Sequence, residues 1–118
     1  SICPSGWALP TGRYASGDFA SLSKKYGGTG SDQNGGGVGD KMSNRFRAFP
    51  NNFVLPGRDH GGIYARGDAG EYWSRTTRTY EYASILKIES SRLNPVDYSN
   101  YNYKYMGHSV RCLVYGSQ

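Results

Sequence analysis

The 118-residue chain has few cysteines, few histidines and no long apolar run, and each shortage excludes a class of function. Two cysteines and two histidines do not readily complete a metal site, so we predict neither metal nor cofactor. No run approaches the roughly 18 apolar residues that cross a bilayer, so we expect no membrane insertion by this domain. One histidine, His60, follows an aspartate, but no nucleophile accompanies the pair, so we predict no enzyme.

The composition instead predicts a small, loop-rich domain. Seventeen glycines and five prolines leave little room for long helices, and a length of 118 fits one domain covering residues 1–118. The net charge of +5 would suit an anionic partner. However, the lysines and arginines are scattered along the chain, so we predict no nucleic-acid partner.

Sequence patterns predict helices early and strands late, which is typical of an α+β fold. The stretch "YASGDFASLSKKYGG" predicts a helix with Ser16 as its cap, Gly27 at its end, and Phe19, Leu22 and Tyr26 on one face. The glycine-rich residues 27–40 predict a loop, and a shorter helix carrying Met42 and Phe46 is expected from Asp40. The predicted strands are "EYWSRT", Tyr82–Ile88 and Ser109–Tyr115.

A 19-residue connection, Glu89–Gly107, separates the last two predicted strands. A connection of this length in a compact domain indicates either a functional loop or an unrecognised element. It contains "VDYSNYNYKYMG", in which Tyr, Asn and Ser alternate without an apolar period. This composition is typical of antibody-type binding loops, because Tyr supplies rigid contact area and Asn and Ser supply adaptable hydrogen bonds. The alternative is a solvated loop whose tyrosines fold back onto the domain.

The two cysteines lie near the two ends of the chain, at Cys3 and Cys112. A bridge between them would close a loop of about 100 residues and stabilise the fold by about 4–5 kcal/mol in the chain-entropy model. Such a bridge fits an extracellular or bacterial cell-surface location. The alternative is a pair of buried free thiols in an intracellular or virion protein, for which a phage virion is the second predicted location.

Three motifs in this order, "CPSGWALPT", "YWSRT" and "GHSVRCLV", resemble the Fibrobacter succinogenes major paralogous domain family over nearly the whole chain. The resemblance implies a C-type lectin-like fold, with two helices, a small twisted antiparallel sheet and long ordered loops. It also implies that both termini pair within one sheet, which brings Cys3 and Cys112 together. In that fold Trp7 and Trp73 are expected as core anchors and Arg111 as a structural ion-pair partner.

The same superfamily includes the variable proteins of diversity-generating retroelements, in which adenines in C-terminal codons are randomised. The resemblance implies clusters of Asn, Tyr, Ser, Asp and Arg between fixed residues, and Arg75–Glu81 and Arg92–Tyr105 have that composition within the C-terminal part, about residues 72–112. We therefore predict a diversified surface that binds a protein or glycan on a cell surface. The predicted contact residues are Arg75, Thr77, Arg78, Tyr80, Arg92, Asp97, Tyr98, Asn100, Tyr101, Asn102, Tyr103 and Tyr105.

The alternative function is a bacterial cell-surface or fimbrial-tip adhesin that binds a fixed glycan or host protein and is never diversified. Two further readings have less support. Asn94 and Asp97 flank Pro95 as in some calcium-binding lectin loops, but they supply too few oxygens for calcium. The tripeptide Arg66-Gly67-Asp68 occurs in a glycine-rich stretch, where a three-residue match arises readily by chance.

Overall fold

The computed structural model describes residues 2–59, 63–64, 66–77, 82–98 and 108–114. Within these residues the chain forms two helices and eight strands. In chain order they are β1 (Trp7–Ala8), α1 (Asp18–Lys25), β2 (Gln33–Asn34), α2 (Gly36–Arg47), β3 (Arg58–Asp59), β4 (Ile63–Tyr64), β5 (Ala69–Thr77), β6 (Ala83–Glu89), β7 (Arg92–Asp97) and β8 (Leu113–Val114). Neither helix in this part of the chain is long and apolar enough to cross a membrane.

The strands form one four-stranded sheet, in the order β2-β7-β6-β5, and two ladders of two strands each, β1 with β8 and β3 with β4. Every pairing between these strands is antiparallel. The predicted strands "EYWSRT" and Tyr82–Ile88 correspond to β5 and β6, which form the longest hairpin of the sheet. The prediction of a small α+β domain with two helices and an antiparallel sheet is therefore confirmed.

The core lies between the two helices and one face of the four-stranded sheet. Leu86 and Ile88 alternate along β6 and point towards the helices, as the two-residue period of a strand requires. The prediction that Phe19 faces the core, with Leu22 and Tyr26 packed beside it, is confirmed. The buried cluster comprises Phe19, Met42, Phe46, Phe53, Tyr72, Leu86, Ile88 and Leu93.

Helix α1 begins differently from the prediction. Gly17, not Ser16, occupies the N-cap position, and its lack of a side chain leaves the cap without a side-chain hydrogen bond. The helix start is instead held by Thr11, whose hydroxyl accepts from the Asp18 N–H at 2.8 Å while the Asp18 carboxylate accepts from the Thr11 N–H at 2.8 Å. Gly27, in the left-handed region with φ of 90°, follows the helix as predicted.

Helix α2 is longer than predicted, because it begins at Gly36 inside the stretch expected to be a loop. The glycines there reflect a close approach between the helix and the β6–β7 turn. A side chain at Gly39 would overlap the Ser91 carbonyl oxygen, and the Gly35 N–H donates to that same oxygen at 2.7 Å. Tertiary packing therefore explains Gly39, which lies in a stretch that the sequence alone indicates as a loop.

Strand β7 lies inside the connection that was predicted as one long loop. It pairs with β6 along its length, and its Leu93 is fully buried in the core. Pro95 argues against a strand in this segment, because proline is usually absent from interior strands. It is accommodated here since the β6–β7 register shifts beside it, and β2 pairs with β7 only at Arg92 and Leu93.

The two ends of the described chain are joined by the β1–β8 ladder and by the Cys3–Cys112 disulfide, whose Cα atoms are 6.0 Å apart. The implied pairing of the termini and the bridge are thus present. The predicted strand Ser109–Tyr115 is only partly confirmed, because the described pairings are those of β8 and a single parallel bridge between Ser109 and Tyr72.

The expected roles of the two tryptophans need correction. Trp7 lies on the β1–β8 ladder with 46 % of its surface exposed, so it is not a core anchor. Trp73 is partly buried and packs on the His108 ring, with a centroid separation of 4.4 Å. The ladder turns one face of Trp7 to solvent because nothing in the described chain covers that side.

Arg111 has a structural position, although its described contacts are not an ion pair. Its guanidinium lies 4.4 Å from the centroid of the Phe53 ring and donates to the Asn51 carbonyl oxygen. A cation over an aromatic face and a bond to a backbone carbonyl both hold the residues before Cys112 against the core.

Replacing Cys3 and Cys112 together by Ser should lower the free energy of unfolding by about 4–5 kcal/mol, because the unfolded chain regains the freedom of a 109-residue separation. Urea unfolding of the oxidised wild type and the double variant measures the difference. A loss below about 1 kcal/mol would show that the β1–β8 ladder and Arg111 hold the ends together without the bridge.

The hydroxyl of the buried Tyr72 makes two hydrogen bonds with the Val54 backbone: it donates to the carbonyl at 2.8 Å and accepts from the N–H at 3.0 Å. Its ring packs edge-on against Phe53 at 5.0 Å. Burial raises the pKa of the Tyr72 phenol above its usual 10.0, while the Val54 bond and the Arg111 charge act in the opposite direction. The folded state therefore favours the protonated phenol.

Because the unfolded phenol ionises first, the free energy of unfolding should fall as the pH rises above about 10. Urea unfolding at about pH 9 and about pH 11 should show a larger loss for the wild type than for Tyr72→Phe, which lacks this ionisation. Tyr14→Phe, at an exposed position, is the matched control and should behave as the wild type. If the free energy of unfolding fell equally in the wild type and in Tyr72→Phe, ionisation of Tyr72 would not be the cause of the loss.

Candidate ligand-binding surface

Strands β5 and β7, which carry parts of the two predicted variable segments, finish at the same end of the four-stranded sheet. At this end Thr77 of β5 pairs with Ala83 of β6, and Asp97 of β7 pairs with Ile85 of β6. Strands β5 and β7 are antiparallel to β6, so both finish where β6 begins. Residues next to these strand ends are therefore close together, although up to 20 residues separate them in the sequence.

Four of the predicted contact residues lie at this end and are described: Arg75, Thr77, Asp97 and Tyr98. Arg75 and Thr77 are exposed, and Tyr98 is partly buried. A further set of predicted contacts falls outside the described residues and stays a prediction; it consists of Arg78, Tyr80, Asn100, Tyr101, Asn102, Tyr103 and Tyr105.

The loop between β1 and α1 covers this end of the sheet. The Pro10 carbonyl accepts from the Arg75 N–H at 2.8 Å, and the Gly12 N–H donates to the Thr76 hydroxyl at 2.9 Å. Gly12 needs to be glycine, because a side-chain carbon there would lie 2.7 Å from the Ser84 hydroxyl oxygen and 2.9 Å from the Ser74 Cβ. The loop is thus pressed directly onto the sheet.

The next residue in this loop, Arg13, makes the most specific contact at the sheet end. Its guanidinium carbon lies 3.7 Å from the centroid of the Tyr98 ring and 4.7 Å from that of Tyr14. Its backbone is in the left-handed region with φ of 64°, which is unfavourable for a residue with a side chain. The left-handed backbone at an arginine that packs against two aromatic rings makes this loop a candidate contact region.

Arg13 and Tyr14 were not predicted from the sequence, and together with Arg75, Thr77 and Tyr98 they form what we call the sheet-end surface. Tyr14 is 53 % exposed. The only sequence signal for this pair is an arginine and a tyrosine directly after Gly12. Their proximity to Tyr98 depends on the close approach of Gly12 to the sheet, which no local pattern indicates.

A cleft of about 330 Å³ adjoins the sheet-end surface. The register of β5 shifts between Trp73 and Thr77, and such a bulge redirects the side chains next to it. Arg75 gives the cleft a positive charge, while Trp73 and Ala83 give it carbon surface. Its lining comprises Ile2, Leu9, Trp73, Ser74, Arg75, Thr77 and Ala83.

Arg92, also predicted as a contact residue, lies at the opposite end of β7, where it pairs with Glu89. Five residues of strand separate it from Asp97, about 16 Å at the usual rise. Its guanidinium donates twice to the Asp32 carboxylate, at 3.0 and 2.7 Å, and these bonds raise the pKa of Arg92. Arg92 therefore does not belong to the sheet-end surface.

Asp97 is 7 % exposed and contributes to a buried polar cluster on the sheet face opposite the helices. Lys87 Nζ lies 3.6 Å from Asp97 Oδ2 and 3.8 Å from Glu71 Oε2. His108 Nδ1 lies 3.5 Å from Glu71 Oε1, and the Asn94 amide is 3.5 Å from Asp97 Oδ2. Asp97 therefore faces the interior of the protein, and we leave it out of the sheet-end surface.

Replacing Lys87 by Met should lower the free energy of unfolding by about 2–3 kcal/mol, because two carboxylates then lose their shared cation in a largely buried site. Lys41→Met, on the exposed side of α2, is the matched control and should change stability by less than about 0.5 kcal/mol. Thermal and urea unfolding of the three proteins measure this. A Lys87 variant as stable as the control would mean that the cluster is held by other contacts.

Among the described residues, no group of three or more His, Cys, Asp or Glu side chains is placed to hold a metal ion. The polar cluster has one lysine between its two carboxylates, which offsets part of their negative charge.

Comparison with known proteins indicates neither a family nor a function for the chain. A scan against protein-family models, a search of curated proteins and a search of solved structures each returned no match. The function is therefore argued from the geometry of the sheet-end surface and from the residues that form it.

Proposed function

We propose that this chain is a ligand-binding domain of the receptor or adhesin type, and that it recognises a protein or glycan through the sheet-end surface. The observation that carries the proposal is the contact of the Arg13 guanidinium with the Tyr14 and Tyr98 rings, at the point where β5 and β7 both end. Arginine and tyrosine are the residue types that dominate binding energy at protein interfaces.

The sheet-end surface is supported by a rigid base. Thr77 pairs with Ala83 of β6, and the Arg75 N–H donates to the Pro10 carbonyl at 2.8 Å. Tyr98 directly follows Asp97, which pairs with Ile85. Arg13 follows Gly12, whose amide is bonded to the sheet. A contact residue that is already ordered loses little conformational entropy on binding, which favours affinity.

Recognition by such a surface needs no reaction on the ligand. The proposal therefore includes no catalytic step and no cofactor. The Cys3–Cys112 disulfide is compatible with an extracellular or bacterial cell-surface location, since disulfides persist where the surroundings are oxidising. A phage virion is the alternative location.

The C-type lectin-like fold and membership of the Fibrobacter succinogenes major paralogous domain family form part of this proposal. They are supported by the antiparallel β1–β8 ladder that joins the chain ends and by two helices packed on one small sheet. In the same proposal the segments Arg75–Glu81 and Arg92–Tyr105 are variable positions of a diversity-generating retroelement, although β7 occupies the start of the second segment.

Gene context distinguishes a diversified surface from a fixed adhesin. A neighbouring reverse transcriptase gene, together with a near-identical repeat that differs only at adenines, would establish diversification. A gene without these neighbours would favour the fixed adhesin, whose surface binds one ligand.

The binding surface can be tested on a panel of immobilised glycans and intact bacterial cells. Arg13→Gly and Tyr98→Ala should each weaken binding of the labelled domain about 30-fold or more, as expected for hot-spot residues. Because glycine fits a φ of 64° without strain, Arg13→Gly should lose binding while keeping or gaining thermal stability. A loss of binding with no loss of stability separates a contact residue from a core residue.

A matched pair of arginine variants controls for charge. Arg75→Ala, at the sheet end, should reduce binding, whereas Arg92→Ala, at the opposite end of β7, should leave it unchanged. Both variants remove one positive charge from the same sheet. Binding that survives Arg13→Gly, Tyr98→Ala and Arg75→Ala but is lost in Arg92→Ala would contradict the proposal.

A further inference from the structure

A second cavity, of about 320 Å³, lies between α1 and the end of the described chain, and we call it the α1 groove. It shares no residue with the sheet-end surface or with the cleft beside Trp73. Its lining comprises the apolar residues Pro10, Phe19, Leu22, Phe53 and Leu113 and the polar residues Asp18, Ser21, Lys25 and Arg111.

The walls of the α1 groove are continuous with the hydrophobic core. Phe19 and Phe53 are core residues, and Leu22 packs against the same cluster. Leu113, on the opposite wall, is 37 % exposed. Water in such a groove meets mostly carbon and forms few hydrogen bonds to the protein, so an apolar molecule that displaces it is favoured.

The two charged residues that α1 contributes to the groove lie at opposite ends of the helix. Asp18, Ser21, Leu22 and Lys25 follow the three- and four-residue spacing that places side chains on one side of a helix. Asp18 and Lys25 are seven residues apart, about 10 Å along the helix axis. The groove therefore has an acidic end and a basic end.

The balance of charge in the groove favours an anion. The Asp18 carboxylate already accepts a hydrogen bond from the Thr11 N–H at 2.8 Å. Lys25 is exposed at the other end of the helix. The Arg111 guanidinium lies over Phe53 and donates to the Asn51 carbonyl, and a guanidinium carries five N–H donors in all. Two cations thus lie beside apolar walls, against one anion that is hydrogen-bonded to the backbone.

We propose that the α1 groove is a binding site for a small amphipathic carboxylate, with its apolar body against Phe19, Leu22 and Leu113 and its carboxylate towards Lys25 and Arg111. The volume sets the size of the ligand, since it holds roughly 10 to 15 non-hydrogen atoms at about 20–30 Å³ each. Medium-chain fatty acids and small aryl carboxylates meet both requirements. This site is separate from the proposed ligand recognition at the sheet end.

Sodium octanoate is a suitable probe, with octan-1-ol and octylammonium chloride as neutral and cationic probes of the same chain length. Titration into the folded domain, followed by amide chemical shifts, should give saturable shifts at Leu22, Phe53 and Leu113. Octanoate should bind about three- to fivefold more tightly than octan-1-ol, the range of an ion pair at a solvated site, and octylammonium should bind most weakly.

Three variants test the location and the charge preference. Ser21→Phe, at an exposed helix position that lines the groove, fills the cavity and should weaken octanoate binding at least about tenfold without loss of thermal stability. Lys25→Gln should reduce the preference for octanoate over octan-1-ol, with Arg111 still present, and should leave the affinity for octan-1-ol unchanged. Lys41→Gln, on α2, is the matched control and should bind all three probes as the wild type does.

The experiments test the location of the site and its preference for a carboxylate separately. Shifts that do not saturate or that lie elsewhere on the domain would overturn the site, as would wild-type octanoate binding by Ser21→Phe. Equal affinities for octanoate and octylammonium would overturn the preference for a carboxylate. None of these results depends on whether the sheet-end surface binds its ligand, because that surface contributes no residue to the groove.

Discussion

Strand β6 is the element on which the other features of this domain depend. It pairs with β5 on one side and with β7 on the other, so it fixes the positions of both. Leu86 and Ile88 on one of its faces pack beneath the two helices, and Lys87 on the opposite face joins the carboxylates of Glu71 and Asp97. The N-terminal end of the same strand defines where β5 and β7 finish, and therefore where the sheet-end surface lies.

The parts of the fold that follow local rules could be predicted from the sequence. Helix α1 has an apolar face that includes Phe19, and β5 and β6 are rich in aromatic and β-branched residues. The sequence did not predict the start of α2 or strand β7, because contacts with distant parts of the chain override the local rules there. Helix α2 starts among glycines because Gly39 must pass close to the Ser91 carbonyl, and β7 contains Pro95 because a register shift accommodates it there. Neither reason is visible in the sequence near these residues.

The candidate site also has parts that the sequence predicted and parts that it did not. Composition indicated the segments that contain Arg75, Thr77 and Tyr98, and antiparallel pairing brings these three residues to one end of the sheet. Composition could not distinguish residues within a segment that face a ligand from residues that serve the sheet, and Asp97 belongs to the second kind. Arg13 was missed because a left-handed backbone at an arginine depends on the contact of its neighbour with the sheet, which only the folded structure shows.

The closure of the chain ends has a mechanical consequence. A tensile force applied to the chain outside Cys3 and Cys112 passes through one covalent bond and the short β1–β8 ladder beside it, rather than through the helices and the four-stranded sheet. The part of the chain between the two cysteines includes the core cluster and the sheet-end surface. A domain connected in this way can remain folded under a load that would pull apart a sheet held by hydrogen bonds alone.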